Sequence, residues 1–457
     1  MKAFFARDVL LPHGWSRDVR IAVDDRGDFV EVRENASAEG AERLAGPVLP
    51  GMANLHSHAF QRAMAGLTEV RGSLHDDFWS WRELMYRFVE RLTPAQAQAI
   101  AAYLYVEMLK HGYTAVAEFH YVHNDIGGKP YAESAEMLLQ HLTAAHDTGI
   151  AITLLPSLYA WSNFGEKPLA PRQKRFMSDC AAVLAMARAA RRAAEGQPDV
   201  HVGVAPHSLR AVDPGALKAL VDGIRALDRD APIHIHAAEQ TKEVEDSVAW
   251  SRRRPVEWLL EHLPVDARWC VVHATQVNAD EIAGLARSGA VVGLCPATEG
   301  NLGDGIFPLT EYREAGGRYG IGGDSHVSRD PAEELRLMEY VQRLRHRRRN
   351  VVVTPACPAV GTTLWAEAAA GGAQALGRRM GAIAAAARAD LVVLDAEAPD
   401  LAGRSGDAIA NALVFSGARD LVRDVMVGGK WVVHESRHAR EKEAADAFKK
   451  AVVELLA

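Results

Sequence analysis

Short apolar runs alternate with amphipathic stretches through the middle of this chain. The runs Val48–His56, Thr114–His120, Ala151–Leu158, Val200–Ala205, Ile233–Ala237, Trp269–His273, Ala290–Cys295 and Tyr319–Gly323 read as buried strands. Between them, Pro94–His111, Tyr131–Thr148, Asp179–Ala194, Pro214–Asp228, Glu243–His262 and Asn278–Ser288 carry helical periodicity. Strand followed by helix, repeated, implies parallel strands joined by crossovers. Eight such strands predict an α/β fold with a closed (β/α)8, TIM-type barrel over residues 49–380. Barrels of this kind carry their sites at the carboxyl ends of the strands.

The two ends of the chain read differently. Met1–Phe5, Val19–Val23 and Phe29–Val32 look like strands, with a turn at Asp25-Arg26-Gly27. Near the other end, Asp390–Asp395, Ala412–Phe415, Val422–Val427 and Trp431–Val433 look like further strands. The N-terminal segment alone is too short to bury a good core. Residues 1–48 and 381–457 are therefore expected to form one small discontinuous β-sandwich domain. The Ala/Gly-rich stretch from Gly361 to Gly381 reads as a last helix leading the chain back to it.

Composition narrows the function classes. The 457 residues are 48% hydrophobic and 24% charged, with a net charge of −7. That balance speaks against nucleic-acid binding. The run Arg345–Arg349 sits at a predicted helix end, where cations complement the dipole. Cys180, Cys270, Cys295 and Cys357 form no Cys-x-x-Cys pair, so buried reduced thiols are expected. The first residues contain no apolar signal region, and no run reaches membrane-spanning length. A cytoplasmic protein without membrane contact is the expectation.

The predicted strand ends concentrate chemistry. His56 and His58 stand two apart after the first strand and share one face. His120 and Tyr121 follow the second strand, His207 and Arg210 the fourth, and His236 and Glu239 the fifth. His273 ends the sixth, and Asp324 and His326 follow the eighth. One strand-end histidine is usually structural; a barrel would bring all of these to one mouth. His56, His58, His236 and Asp324 then form a nitrogen/oxygen set suited to one divalent metal ion, Zn2+ fitting best, with a position left for water. His234 shares the parity of His236, but His236 is nearer the strand end. His326 is read as a supporting or substrate-loop residue.

His56-x-His58, His236-x-x-Glu239, His273 and Asp324 resemble the amidohydrolase superfamily on its deaminase branch, over nearly the whole chain. Binuclear members of that superfamily bridge two metals with a modified lysine on the fourth strand. Here that strand, Val200-His-Val-Gly-Val-Ala-Pro-His207, has no lysine. The resemblance thus implies one metal, with His273 left for catalysis; it also implies a homodimer. Asp77-Phe-Trp-Ser-Trp-Arg82, Glu118-Phe-His-Tyr121, His207-Ser-Leu-Arg210 and Gly323-Asp-Ser-His326 are similar to the formimidoylglutamate deiminase family, as is Glu333 to Asn350. That family converts N-formimino-L-glutamate to N-formyl-L-glutamate and ammonia in histidine degradation.

Such a substrate has two carboxylates and a small amidine. In an acidic protein its carboxylates need local cations, and Arg82 and Arg210 present paired donors for them. Gln61, Tyr121 and His207 could add further donors. Arg82 could equally form a helix-surface ion pair, and Tyr121 could pack at the rim. Trp79 and Trp81 belong either to a loop over the mouth or to the core. In the implied reaction Asp324 takes a proton from water, His273 holds the attacking oxygen and Glu239 protonates the leaving nitrogen. Two other readings compete: a deaminase of the same barrel acting on a purine or ring amidine, and a noncatalytic metal-binding barrel. The two arginines oppose the first. The catalytic set beside the ligands opposes the second.

Overall fold

The computed structural model describes residues 1–70, 78–418 and 420–457, without the side chains of residues 78–80. Each expected barrel strand is present: Met52–Ser57, Tyr113–His120, Ala151–Leu158, Val200–Val202 with Ala205–Pro206, Ile233–Ala237, Trp269–His273, Val291–Leu294 and Arg318–Ile321. They pair in parallel, neighbour to neighbour. Parallel bridges Val204↔Ile233 and Ser208↔His236 join the fourth strand to the fifth, and Ser57↔Asp324 joins the eighth to the first. The ring of strands therefore closes. Helices such as Pro94–Lys110, Glu136–Thr148 and Pro214–Leu227 run between the strands. Several start at good caps: Thr93 and Asn278 form capping boxes, and Asp179 and Asp213 accept from the first-turn amides.

The apolar run at residues 48–56 is not one strand. Val48–Pro50 pairs with Lys2–Leu11 and Leu391–Leu394, while Met52–Ser57 is the first barrel strand. The chain changes sheets at Gly51, where a Cβ would lie 2.3 Å from Thr114 Oγ1. Hydrophobicity could not mark that change, because both halves are fully buried.

The chain's two ends share one nine-stranded sheet, with segments from residues 2–50 and 391–438 interleaved in it. It is a single ladder curled on itself to make the sandwich. Phe4 and Trp431 lie four strands apart along the ladder, yet their rings meet edge to face at 5.7 Å. Phe4, Val9, Ile21, Phe29, Leu391, Val393 and Met426 fill the space so enclosed. The alternate residues Leu10, Leu49, Val392 and Val425 belong to the barrel's core, so the two faces of the sheet serve two cores.

Other expectations are corrected. Ala412–Phe415 lies in a helix, Asp407–Phe415, because a short apolar run has no period that separates strand from helix. Glu243–His262 is two helices, Thr241–Ser251 and Pro255–His262; Arg252 turns left-handed (φ 62°) and Pro255 starts the second. Tyr131–Thr148 becomes helical only at Glu136. The helix Glu441–Leu456 was not expected; it lies on Pro94–Lys110, with Tyr103 stacked on Phe448 at 4.3 Å. The Ala/Gly-rich stretch is the helix Val360–Leu376, and Gly371 explains its composition. A Cβ there would lie 1.8 Å from the carbonyl oxygen of Tyr319, so only glycine permits this approach to the eighth strand. Among the described residues no helix is long and apolar enough to cross a membrane.

Candidate active site

The first and eighth strands meet through their backbones at the barrel mouth. The Asp324 amide donates to the His56 carbonyl at 2.9 Å, and the His58 amide donates to the Asp324 carbonyl at 3.0 Å. This double contact brings the Asp324 side chain against both histidines. Asp324 Oδ1 lies 3.4 Å from His56 Nε2 and 3.5 Å from His58 Nε2. From the fifth strand, His236 Nε2 reaches within 3.1 Å of His56 Nε2 and 3.4 Å of His58 Nε2. Ligand atoms about 2.1 Å from a tetrahedral ion stand roughly 3.4 Å apart. The donor set therefore fits one small divalent cation.

The outer ring atoms prepare these histidines. His58 Nδ1 lies 2.7 Å from the Phe119 carbonyl and His236 Nδ1 lies 2.9 Å from the His207 carbonyl. A carbonyl only accepts, so each Nδ1 carries the proton and each Nε2 keeps a lone pair facing inward. Burial holds His56, His58 and His236 below the ordinary imidazole pKa, and neighbouring imidazoles push His56 and His236 further down. They are neutral at pH 7, the form that ligates a metal.

His234 and His326 lie outside this set. His234 Nε2 bonds the Ala375 carbonyl at 2.7 Å, and His326 Nε2 is 2.8 Å from Ser57 Oγ. His120 is buried beside His123 and His141 and is absent from the cavity wall. Its parity on the strand differs from that of Phe119 and Tyr121, which stack near the metal-ligand rings.

One cavity opens above the four-ligand cluster. Gln61, Arg82, Tyr121, His207 and Arg210 line it together with Glu239, His273 and Asp324. The expected substrate residues and the reactive groups therefore share one space. Gln61 Nε2 donates to the Tyr121 hydroxyl at 2.9 Å. Arg210 Nη2 is 3.7 Å from Glu239 Oε2, and Arg210 Nε is 3.9 Å from Glu243 Oε2. Arg82 is on the helix Phe78–Val89, its guanidinium 5.5 Å from the centre of the Tyr86 ring. Trp81 is thus on a helix that walls the cavity, not on a loop; the Trp79 side chain lies outside the described residues.

His273 and Glu239 form a buried pair. His273 Nε2 is 3.7 Å from Glu239 Oε1 and 3.9 Å from Asp324 Oδ2, and its Nδ1 is 3.2 Å from Glu299 Oε1. Burial disfavours the imidazolium, but the surrounding carboxylates outweigh it and raise His273 to about 10. Burial likewise raises Glu239, with His273 and Arg210 opposing. The pair therefore holds a proton near neutrality. Backbone strain concentrates around these groups. Ala238, His273, Ala274, Asp324 and His326 all have φ between 49° and 67°, a region costly to residues with a Cβ.

Sequence reasoning did not single out Glu299, Asp304, Tyr86 or Tyr159. Tyr86 and Tyr159 line the cavity and both accept from Gln173 Nε2, at 3.2 and 2.8 Å. Glu299 and Asp304 follow the seventh strand, where a carboxylate past a strand end was the available signal. No pattern in the sequence marks the two tyrosines.

Comparisons with known proteins agree with this architecture. The Amidohydrolase family model matches residues 48–432, and the model of the formimidoylglutamate deiminase HutF N-terminal domain matches residues 1–46. The chain is 53% identical to a formimidoylglutamate deiminase of Pseudomonas aeruginosa over 100% of both chains. It superposes on a crystal structure of an amidohydrolase from Brucella melitensis with a TM-score of 0.94, 46% identity and full coverage of both. An adenosine deaminase from Xanthomonas campestris, solved with bound zinc, shares the fold at 22% identity and a TM-score of 0.80, with 99% and 98% of the chains covered. The chain belongs to the amidohydrolase family, on its formimidoylglutamate deiminase branch.

Proposed function

We propose that this protein hydrolyses N-formimino-L-glutamate to N-formyl-L-glutamate and ammonia. The observation that carries the reading is the shared cavity: Arg82 and Arg210 line the same space as the three-histidine, one-aspartate cluster. Full-length identity of 53% to a formimidoylglutamate deiminase supports it. In this reading the guanidiniums, with Gln61, Tyr121 and His207, hold the two carboxylates. That leaves the amidine directed at Glu239, His273 and Asp324.

His56, His58, His236 and Asp324 would hold one divalent ion, zinc on this donor set. Such an ion acts as a Lewis acid and makes hydroxide available near neutral pH. Asp324 accepts the proton of the attacking water. Protonated His273 donates a hydrogen bond to the attacking oxygen and stabilises the charge developing there. As the new C–O bond forms, Glu239 gives its proton to the amidine nitrogen. The C–N bond then breaks with ammonia as the leaving group, and the remaining oxygen becomes the formyl carbonyl. Burial suits Glu239 to this task by keeping it protonated closer to neutrality.

The reading carries with it a cytoplasmic homodimer serving histidine degradation. A ring-amidine deaminase is disfavoured, because two guanidiniums in its pocket would face no anion. Ammonia release from N-formimino-L-glutamate, with guanine and cytosine in parallel, tests the choice. Release from the first alone supports the reading. Release from a ring substrate alone overturns it and leaves the metal cluster in place.

A further inference from the structure

The segment after the seventh strand holds a carboxylate that the mechanism above does not use. Asp304 follows the short helix Pro296–Leu302 and is only 5% exposed. A carboxylate oxygen of Asp304, one of Glu239 and a ring nitrogen of His273 all lie within 4.8 Å of one another. Asp304 Oδ1 accepts from Gln240 Nε2. Its Oδ2 is buried with no hydrogen-bond partner among the described residues. A buried acceptor left open in this way has a cost unless something donates to it.

The backbone holds Asp304 where it is. Gln276 Nε2 donates to the carbonyl of Asp304 at 2.6 Å and to that of Glu239 at 3.2 Å, tying the two acids through one amide. The Asp304 amide donates to the Glu299 carbonyl at 2.9 Å. Gly303 and Gly305, with φ of 70° and 121°, let the chain turn on either side. The same segment thus supplies Glu299 to His273 and places Asp304 beside Glu239.

We propose that Asp304 and Glu239 together clamp the terminal nitrogen of the substrate's amidine, and that Asp304 thereby sets specificity for a nitrogen over an oxygen at that position. This rests on the deiminase reading. A terminal amidinium nitrogen has two N–H groups. Two carboxylate oxygens within 4.8 Å can both accept from one nitrogen placed about 2.9 Å from each. The formyl product carries at that carbon only an oxygen, which donates nothing. Asp304 therefore favours substrate over product and continues to accept from the nitrogen as Glu239 protonates it. Burial and the nearby Glu239 charge also raise Asp304 to about 9, so the empty clamp repels itself and gains most from a donor.

Asp304→Asn tests this. Gln240 keeps the Asn oxygen on its own side, which turns the new NH2 toward the substrate nitrogen. The expected result is a fall in kcat/KM for N-formimino-L-glutamate of about 100-fold, while inhibition by N-formyl-L-glutamate becomes tighter. Asp304→Ala, with no donor to offer, is expected to lose kcat/KM with product inhibition unchanged; it serves if the Asn variant does not fold. Parallel weakening of substrate and product in the folded variant, or an unchanged kcat/KM, would overturn the clamp. Wild-type protein that releases no ammonia from N-formimino-L-glutamate would instead sink the deiminase reading itself.

Discussion

His56 and Asp324 are joined twice: the Asp324 amide donates to the His56 carbonyl at 2.9 Å, and Asp324 Oδ1 stands 3.4 Å from His56 Nε2. Strand closure and the proposed metal site are thus one feature. An ion bound there would link the first, fifth and eighth strands. Binding only to the folded chain stabilises it by about 4 kcal/mol when free metal is 1,000 times its Kd. Chelation should therefore lower the melting temperature by several degrees and abolish turnover, with zinc restoring both. Metal analysis with calorimetry checks this; an unchanged melting temperature after complete metal loss would count against the site.

Glu239 stands 3.7 Å from His273 and is proposed as the proton donor. Glu239→Gln preserves shape and removes the proton. We expect kcat to fall by at least about 100-fold, with metal content intact. Steady-state kinetics beside metal analysis decides it; full turnover in the metal-loaded variant would exclude Glu239 from proton delivery.

Arg82 lines the cavity from the helix Phe78–Val89. Arg82→Met should raise KM for N-formimino-L-glutamate about 10- to 100-fold, since a hydrogen bond to a charged group contributes about 1.5–3 kcal/mol. Its kcat should change little, because Arg82 is not among the groups around Glu239. An unaltered KM would place the substrate carboxylates elsewhere.

Glu118 predicts a pH dependence of stability. It lies wholly buried behind the His-x-His segment, accepting from Ser57 Oγ at 2.6 Å, Tyr105 hydroxyl at 3.0 Å and the Ala59 amide at 2.9 Å. Burial, opposed by these donors, raises its pKa from 4.5 to about 7. Between those values the folded chain keeps a proton that the unfolded chain has lost. Rising pH therefore favours unfolding through this window, by at most about 3 kcal/mol, and the contribution is complete only at acid pH. Glu118→Gln should flatten that part of the profile. Melting temperatures at pH 5 and pH 8 for both proteins test it; equal slopes would show that Glu118 is ionised throughout.

Local pattern carried much of this protein. The alternation of strand and helix marked the barrel, because each strand is buried and each helix shows only one apolar face. His56-x-His58 placed two imidazoles together, because strand parity is a local property. The arginines followed from substrate charge and the family resemblance, and the cavity does bring Arg82 and Arg210 together.

What tertiary structure alone decided has a common cause: it depends on contacts between distant residues. His234 and His236 share parity, and only the Ala375 carbonyl beside His234 separates them. His326 turns to Ser57 while Asp324, two residues earlier, turns to the histidines. The chain changes sheets at Gly51 inside an unbroken apolar run, and Ala412–Phe415 is helical although its composition suits a strand. Asp304 and Glu239 become neighbours only because Gln276 ties their backbones across the mouth. Periodicity reports which face of an element is buried; it does not report what waits on the other side, because that is set by how the barrel closes.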